Sequence, residues 1–307
     1  MVQHHDHHGH DHDPPAPMRF GPAFAVGAAL NIGLVAAQVV FGIAANSMAL
    51  LADAAHNAGD VLALLLAWGA VVLGRRQPTA RRTYGWGRST IIAALANAVV
   101  LLIGVGAIAL EAAERLLSPS PVAGATVIWV AGAGIVVNGL TAALFVRGHE
   151  DLNIRATFQH MAGDAAISAG VVLAAVAIVL TGRLWIDPLV SLAIAALITV
   201  TTWGVLRDAV NLAMDGVPSS IAQHEVEAWL RDLPGVVEVH DLHIWGLSTT
   251  EAALTAHLVR DEQADDQELI RVASHGLGAR FHIGHATLQI ETPVVAESCR
   301  LRPADVV

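Results

Sequence analysis

Six apolar stretches occupy the first two thirds of the chain, at residues 24–45, 48–73, 91–110, 122–146, 158–180 and 184–205. Each has the roughly 20 residues that a helix needs to cross about 30 Å of hydrocarbon. All are rich in Ala, Gly, Val and Leu, a small-residue composition that lets membrane helices approach closely. After residue 205 the texture changes: charges return, and apolar and polar positions alternate. There the pattern predicts a helix over 222–233, a break at Pro234-Gly235, strands over 236–245 and 252–259, a helix over 266–275 and a last strand over 286–291. An α-β-β-α-β order fits a small open-faced α+β sandwich. The expected fold is an α-helical membrane protein with six transmembrane helices over 20–208 and a soluble α+β domain over 209–293, flanked by tails at 1–19 and 294–307.

Composition agrees with that division. The 307 residues are 54% hydrophobic and 14% charged, with a mean hydropathy of +0.56, more apolar surface than one soluble core needs. Arginines set the orientation. Arg75, Arg76, Arg81, Arg82 and Arg88 crowd the loop after the second stretch, and Arg147 and Arg155 flank the loop after the fourth, whereas the fifth loop has only Arg183 and Asp187. By the positive-inside rule both Arg-bearing loops face the cytoplasm, and with six spans so do both termini, as in a bacterial inner membrane. The net charge of -10 speaks against nucleic acid as a partner. The single cysteine, Cys299, excludes an internal disulfide framework and a cysteine-only zinc site. A polar opening segment predicts no cleavable signal peptide.

Within the second and fifth stretches the chain writes nearly the same word, His56-Asn57-Ala58-Gly59-Asp60 and His160-Met161-Ala162-Gly163-Asp164. Residues four apart share a helix face, so each word offers an imidazole and a carboxylate to one side. Two such helices face to face supply two nitrogens and two oxygens, a set that suits tetrahedral zinc at about 2.0–2.2 Å. Ala58, Gly59, Ala162 and Gly163 are small enough to permit the close backbones this needs. An aspartate near mid-bilayer costs about 2.5–3.5 kcal/mol on insertion scales and usually marks function. A closed structural zinc site would use the same ligands, but a site inside a membrane bundle can exchange its metal for protons, because its groups must be deprotonated to bind. Asp53, on nearly the same face as His56, reads as an access-path carboxylate, as a partner orienting a ligand imidazole, or as a packing residue. Asn31, Gln38, Asn97 and Asn138 are expected to make interhelical hydrogen bonds.

Four segments in order carry a resemblance: Ser47-Met48-Ala49-Leu50-Leu51-Ala52-Asp53-Ala54-Ala55-His56 with Asp60; Thr83-Tyr84-Gly85-Trp86-Gly87-Arg88; His160 with Asp164; and His240-Asp241-Leu242-His243-Ile244-Trp245. Together they resemble the cation diffusion facilitator family, most closely its zinc-exporting branch, from about residue 20 to 291. The resemblance implies a homodimer of six-helix protomers, each with a cytoplasmic metallochaperone-like (ferredoxin-like) domain, that exports divalent metal in exchange for protons by alternating access. The family's transport site maps onto His56, Asp60, His160 and Asp164. Histidine at the first of these positions implies preference for zinc over cadmium, leaving cadmium, cobalt and other late first-row metals as secondary cargo. The family's cytoplasmic ligands map onto His240, His257, His285 and Glu291, with His243 as an alternative, where zinc would stabilise the paired domains. Two departures stand out. The loop over 75–82 has no His or acidic residue, so the metal site some members carry there is expected to be absent. The usual pair of C-terminal cysteines is reduced to Cys299, which argues against a second cytoplasmic site.

His4, His5, His7, His8, His10 and His12, interrupted by Asp and Gly, read as a disordered metal-capturing tail. Two other functions would also call on metal-binding side chains in a membrane. An intramembrane metalloenzyme could use zinc to activate water, but the chain has no His-Glu-x-x-His motif and four ligands leave little room for water. A metal sensor does not account for the paired words. The expected activity is transport, not catalysis.

Overall fold

The computed structural model describes residues 22–74, 76–145 and 152–303, excepting the side chains of residues 22–27, 67, 71, 141–145 and 152–160. The histidine-rich tail, Arg75, Arg147 and the side chains of Arg155 and His160 therefore lie outside the described residues. Six helices come first: α1 (Pro22–Ala45), α2 (Met48–Gly74), α3 (Ser89–Leu117), α4 (Gly124–Phe145), α5 (Leu152–Thr181) and α6 (Ile186–Ala213). Among the described residues five of them are long and apolar enough to cross a membrane, and the apolar part of α4 is the shorter Gly124–Leu140. Helix α5 starts before, and α6 runs beyond, the apolar stretches at 158–180 and 184–205. Hydropathy marks only the part of a helix suited to lipid, while backbone hydrogen bonding carries the helix on into water.

Within the bundle α4 packs chiefly on α5, and α3 on α6. Leu50, Val105, Val127, Val171 and Ile198 form its buried centre, while Ile103, Leu140, Leu173 and Val200 face outward, as apolar side chains in lipid can.

At the end of the bundle away from the C-terminal domain, the α1–α2 turn is fastened by polar groups. Asn46 takes a left-handed φ of 55°, and its Nδ2 donates to Pro121 O at 3.1 Å. Arg115 of α3 donates to Asn46 O at 3.0 Å. Asp187, in the first turn of α6, accepts from Ser47 Oγ at 2.5 Å and from the Met48 backbone N–H at 2.7 Å. A residue of α6 thus caps α2, satisfying N–H groups that a helix start leaves without intrahelical partners.

The C-terminal domain comprises α7 (Gln223–Arg231), β1 (Val236–Gly246), β2 (Ala252–Arg260), α8 (Asp266–Phe281), β3 (Ile283–Glu291) and α9 (Pro293–Ser298). The sheet order is β1-β2-β3, antiparallel between β1 and β2 and parallel between β2 and β3. Val226, Leu230, Leu254, Leu258, Leu269, Leu277 and Ile283 make its core. Asp265 caps α8 by accepting from Gln267 N and Glu268 N at 2.8 and 3.2 Å. The helix outlasts its expected end at 275 because His282, at φ 57°, closes it and leads straight into β3. The C-terminal tail at 294–307 starts within a short helix: Thr292 caps α9, Pro293 occupies its first turn, and the helix lies on β2 and β3. Beyond it Arg302 donates to both oxygens of Glu238, at 2.9 and 2.7 Å, which holds that carboxyl below its usual carboxylate range.

The two domains meet at the α2–α3 loop. Arg88 pairs with Asp215, the Thr249 backbone N–H donates to Thr90 Oγ1 at 3.0 Å, and Tyr84 meets the His285 ring edge-on at 5.4 Å. Gly87 sits against the Leu247 carbonyl, where a Cβ would come within 2.9 Å of a backbone oxygen. Gly87→Val is expected to loosen this docking by about 1–3 kcal/mol, read as roughly tenfold or faster hydrogen exchange at residues 247–250; unchanged exchange would refute the contact.

Candidate metal sites

Helices α2 and α5 bring three of the four expected intramembrane ligands together. His56 Nε2 lies 3.0 Å from Asp164 Oδ1, and ligand atoms of His56, Asp60 and Asp164 all fall within 4.8 Å of one another. Asp164 is buried and the His56 side chain is 18% exposed. His160 lies one turn before Asp164 on α5, and its side chain is outside the described residues.

Of the two glycines, Gly59 serves a different contact from the expected one. A Cβ on Gly59 would meet Leu101 of α3 at 2.8 Å, and one on Gly163 would meet nothing within 4 Å among the described residues. Each glycine precedes its aspartate by one residue, which turns it about 100° away around the helix. Gly59 therefore permits close packing of α2 on α3, not of α2 on α5.

Asp53 is wholly buried. Gln38 Nε2 donates to its Oδ2 at 2.6 Å, Ser168 Oγ donates to the same oxygen at 3.0 Å, and Asn57 Nδ2 donates to Gln38 Oε1 at 3.0 Å. These partners enclose the Asp53 carboxylate between helices. It ties α1, α2 and α5 together beside His56. Of the amides expected to bridge helices, Gln38 does so. The Asn97 Oδ1 and both side-chain polar atoms of Asn138 are buried without a hydrogen-bond partner among the described residues.

In the C-terminal domain the sheet register assembles the second group. His240 on β1 stands opposite His257 on β2, and His257 opposite Gln289 on β3, two residues before Glu291. Residues two apart on a strand share a face, so three strands deliver His240, His257 and Glu291 to one place. The turn through α9 returns Cys299 to it. Ligand atoms of these four residues lie within 4.8 Å of one another. His257 Nδ1 is 3.2 Å from Glu291 Oε1 and 3.6 Å from Cys299 Sγ, and His240 Nε2 is 3.4 Å from Glu291 Oε2.

Among the described residues both ring nitrogens of His240 and Oε2 of Glu291 are buried without a hydrogen bond, with His240 only in ion-pair range of Glu291 and Glu238 at 3.4 and 3.5 Å. Two imidazoles, a carboxylate and a thiol form a donor set suited to zinc, so these residues fit a metal ion.

Two expected ligands fall outside this group. His285 shares the face of Glu291 but lies six residues back along β3, about 20 Å at ~3.3 Å per residue, where it meets Tyr84 instead. His243 Nε2 donates to Asp241 Oδ1 at 2.9 Å and is not among the four. Cys299 is the member that sequence reasoning passed over. The Thr292-Pro293 pair, a cap followed by a first-turn proline, announces a helix after β3 but not that the helix returns the chain to the sheet.

Residues 24–212 match the family described as the cation efflux transmembrane domain, and residues 218–293 match that of the cation efflux protein, cytoplasmic domain. The zinc transporter ZitB of Escherichia coli K12 is 36% identical over 276 residues, covering 89% of this chain and 88% of that protein. The metal cation efflux system protein CzcD of Cupriavidus metallidurans is 34% identical over 286 residues, covering 92% and 90%. The cadmium, cobalt and zinc/H(+)-K(+) antiporter of Bacillus subtilis is 31% identical over 290 residues, covering 92% of each. A six-helix bundle with a histidine and two aspartates gathered inside it, joined to a matching C-terminal domain, carries the same conclusion as these likenesses: the chain belongs to the cation efflux family of transporters, the cation diffusion facilitators.

Proposed function

We propose that this transporter exports zinc, with cadmium and cobalt as secondary cargo, in exchange for protons, through a site made of His56, Asp60, His160 and Asp164. The observation that carries the reading is the meeting of His56, Asp60 and Asp164 from α2 and α5 inside an apolar bundle. Imidazole and carboxylate atoms bind either a late divalent metal or protons, so cargo and proton compete for the same places. The Bacillus relative named for zinc, cadmium, cobalt and H(+) supports both the cargo and the exchange.

His240, His257, Glu291 and Cys299 would hold a resident zinc, whose chemistry there is to cross-link three strands and α9. The protein works as a homodimer paired through its membrane and cytoplasmic domains, in a bacterial inner membrane with both termini inside. The histidine-rich tail gathers metal at the cytoplasmic mouth. The reading is tested by zinc uptake into proteoliposomes with an acid interior. Uptake is expected to follow the imposed gradient and to stop when a protonophore dissipates it. Zinc flux indifferent to the gradient would count against exchange.

A further inference from the structure

We propose that Asp241 is a positioning residue for the cytoplasmic cluster, its carboxylate fixing the His257 ring so that Nδ1 is the nitrogen offered to metal. This rests on the reading of His240, His257, Glu291 and Cys299 as metal ligands. The His257 ring lies between two sets of neighbours. Its Nδ1 faces Glu291 Oε1 at 3.2 Å and Cys299 Sγ at 3.6 Å, while its Nε2 faces Asp241 Oδ2 at 3.4 Å. A neutral imidazole presents one bare nitrogen and one N–H. Glu291 is itself a ligand and is taken up by the ion when metal is bound, so the carboxylate left to hold an N–H is that of Asp241, beside Nε2, and Nδ1 is thereby the better ligand.

The backbone is bent to put Asp241 in place. Strand β1 advances three residues, from His240 to His243, while β2 advances two, from His257 to Thr255. Within that bulge Asp241 takes a φ of 51°, a conformation uncommon outside glycine although Asp and Asn enter it more readily than most. Regular alternation would send His240 and Asp241 to opposite faces. Through the bulge both reach the same ring, His240 with its centroid 5.1 Å from that of His257 and Asp241 by its Oδ2. His243 Nε2 holds the other oxygen, Oδ1, at 2.9 Å, so a second histidine sets the angle of the carboxylate.

The full-length protein carrying Asp60→Ala and Asp164→Ala, which removes the membrane site, is titrated with cobalt. Cys299 is the only cysteine, so a thiolate-to-cobalt charge-transfer band reports this cluster alone. Asp241→Gly keeps the left-handed turn without a carboxylate and is expected to bind cobalt about 10- to 100-fold more weakly. Asp241→Asn keeps the turn and an acceptor, and is expected to recover most of that loss. A glycine variant as tight as its parent overturns the proposal, because the backbone alone would then suffice. An asparagine variant no tighter than the glycine one also overturns it. A parent without the band is a distinct failure, overturning the metal reading of the cluster and this inference with it.

Discussion

Asp164→Ala is expected to abolish zinc flux while leaving the protein folded and dimeric. Asp164 supplies an oxygen 3.0 Å from His56 Nε2, and its loss leaves the proposed site with too few charged donors to replace the water around a divalent cation. The energetic arithmetic separates function from folding. Removing the carboxylate deprives His56 of that partner, at a cost of about 1–3 kcal/mol, and relieves about 2.5–3.5 kcal/mol of insertion cost. These terms nearly cancel, so stability changes little. The measurement is zinc uptake into proteoliposomes set beside gel filtration of the same preparation. A variant that elutes as the parent does and transports at a comparable rate would remove Asp164 from the site.

Asp53→Ala should act in the opposite sense, on the scaffold more than on the cargo. The truncation strips the acceptor from Gln38 Nε2 and Ser168 Oγ, both buried and out of reach of water. At about 1–3 kcal/mol for each orphaned donor, the expected loss is roughly 2–5 kcal/mol, a large fraction of the ~5–15 kcal/mol that holds a typical domain. Asp53→Asn retains a carbonyl that can accept from Gln38, and its loss should be much smaller. Thermal unfolding in detergent compares the two variants with the parent. Equal midpoints for parent and alanine variant would mean that α1, α2 and α5 are held by other contacts.

Much of this architecture is legible in the sequence because two periodicities write it there. Twenty-residue apolar runs mark the membrane helices, and the i, i+4 spacing of each His/Asp word marks a helix face. The strand alternation and the Pro234-Gly235 break mark the second domain. What escaped depends on tertiary neighbours that no local pattern records. Asp187 looks like a loop charge, yet it caps a helix 139 residues away. Gly59 sits between His56 and Asp60 and packs against α3. His285 has the residue type and the face of a ligand, but the wrong position along its strand. Cys299 lies past the last strand, so only the turn of α9 reveals where its sulfur goes.

The cluster's one sulfur has a practical corollary. Any maleimide that couples to this protein has a single atom to attack, and that atom stands among His240, His257 and Glu291. Labelling speed in native membranes is therefore a gauge of vacancy: brisk when the pocket is bare, sluggish when a cation holds the thiolate. No second thiol of this chain contributes to the signal, which is read on the purified band.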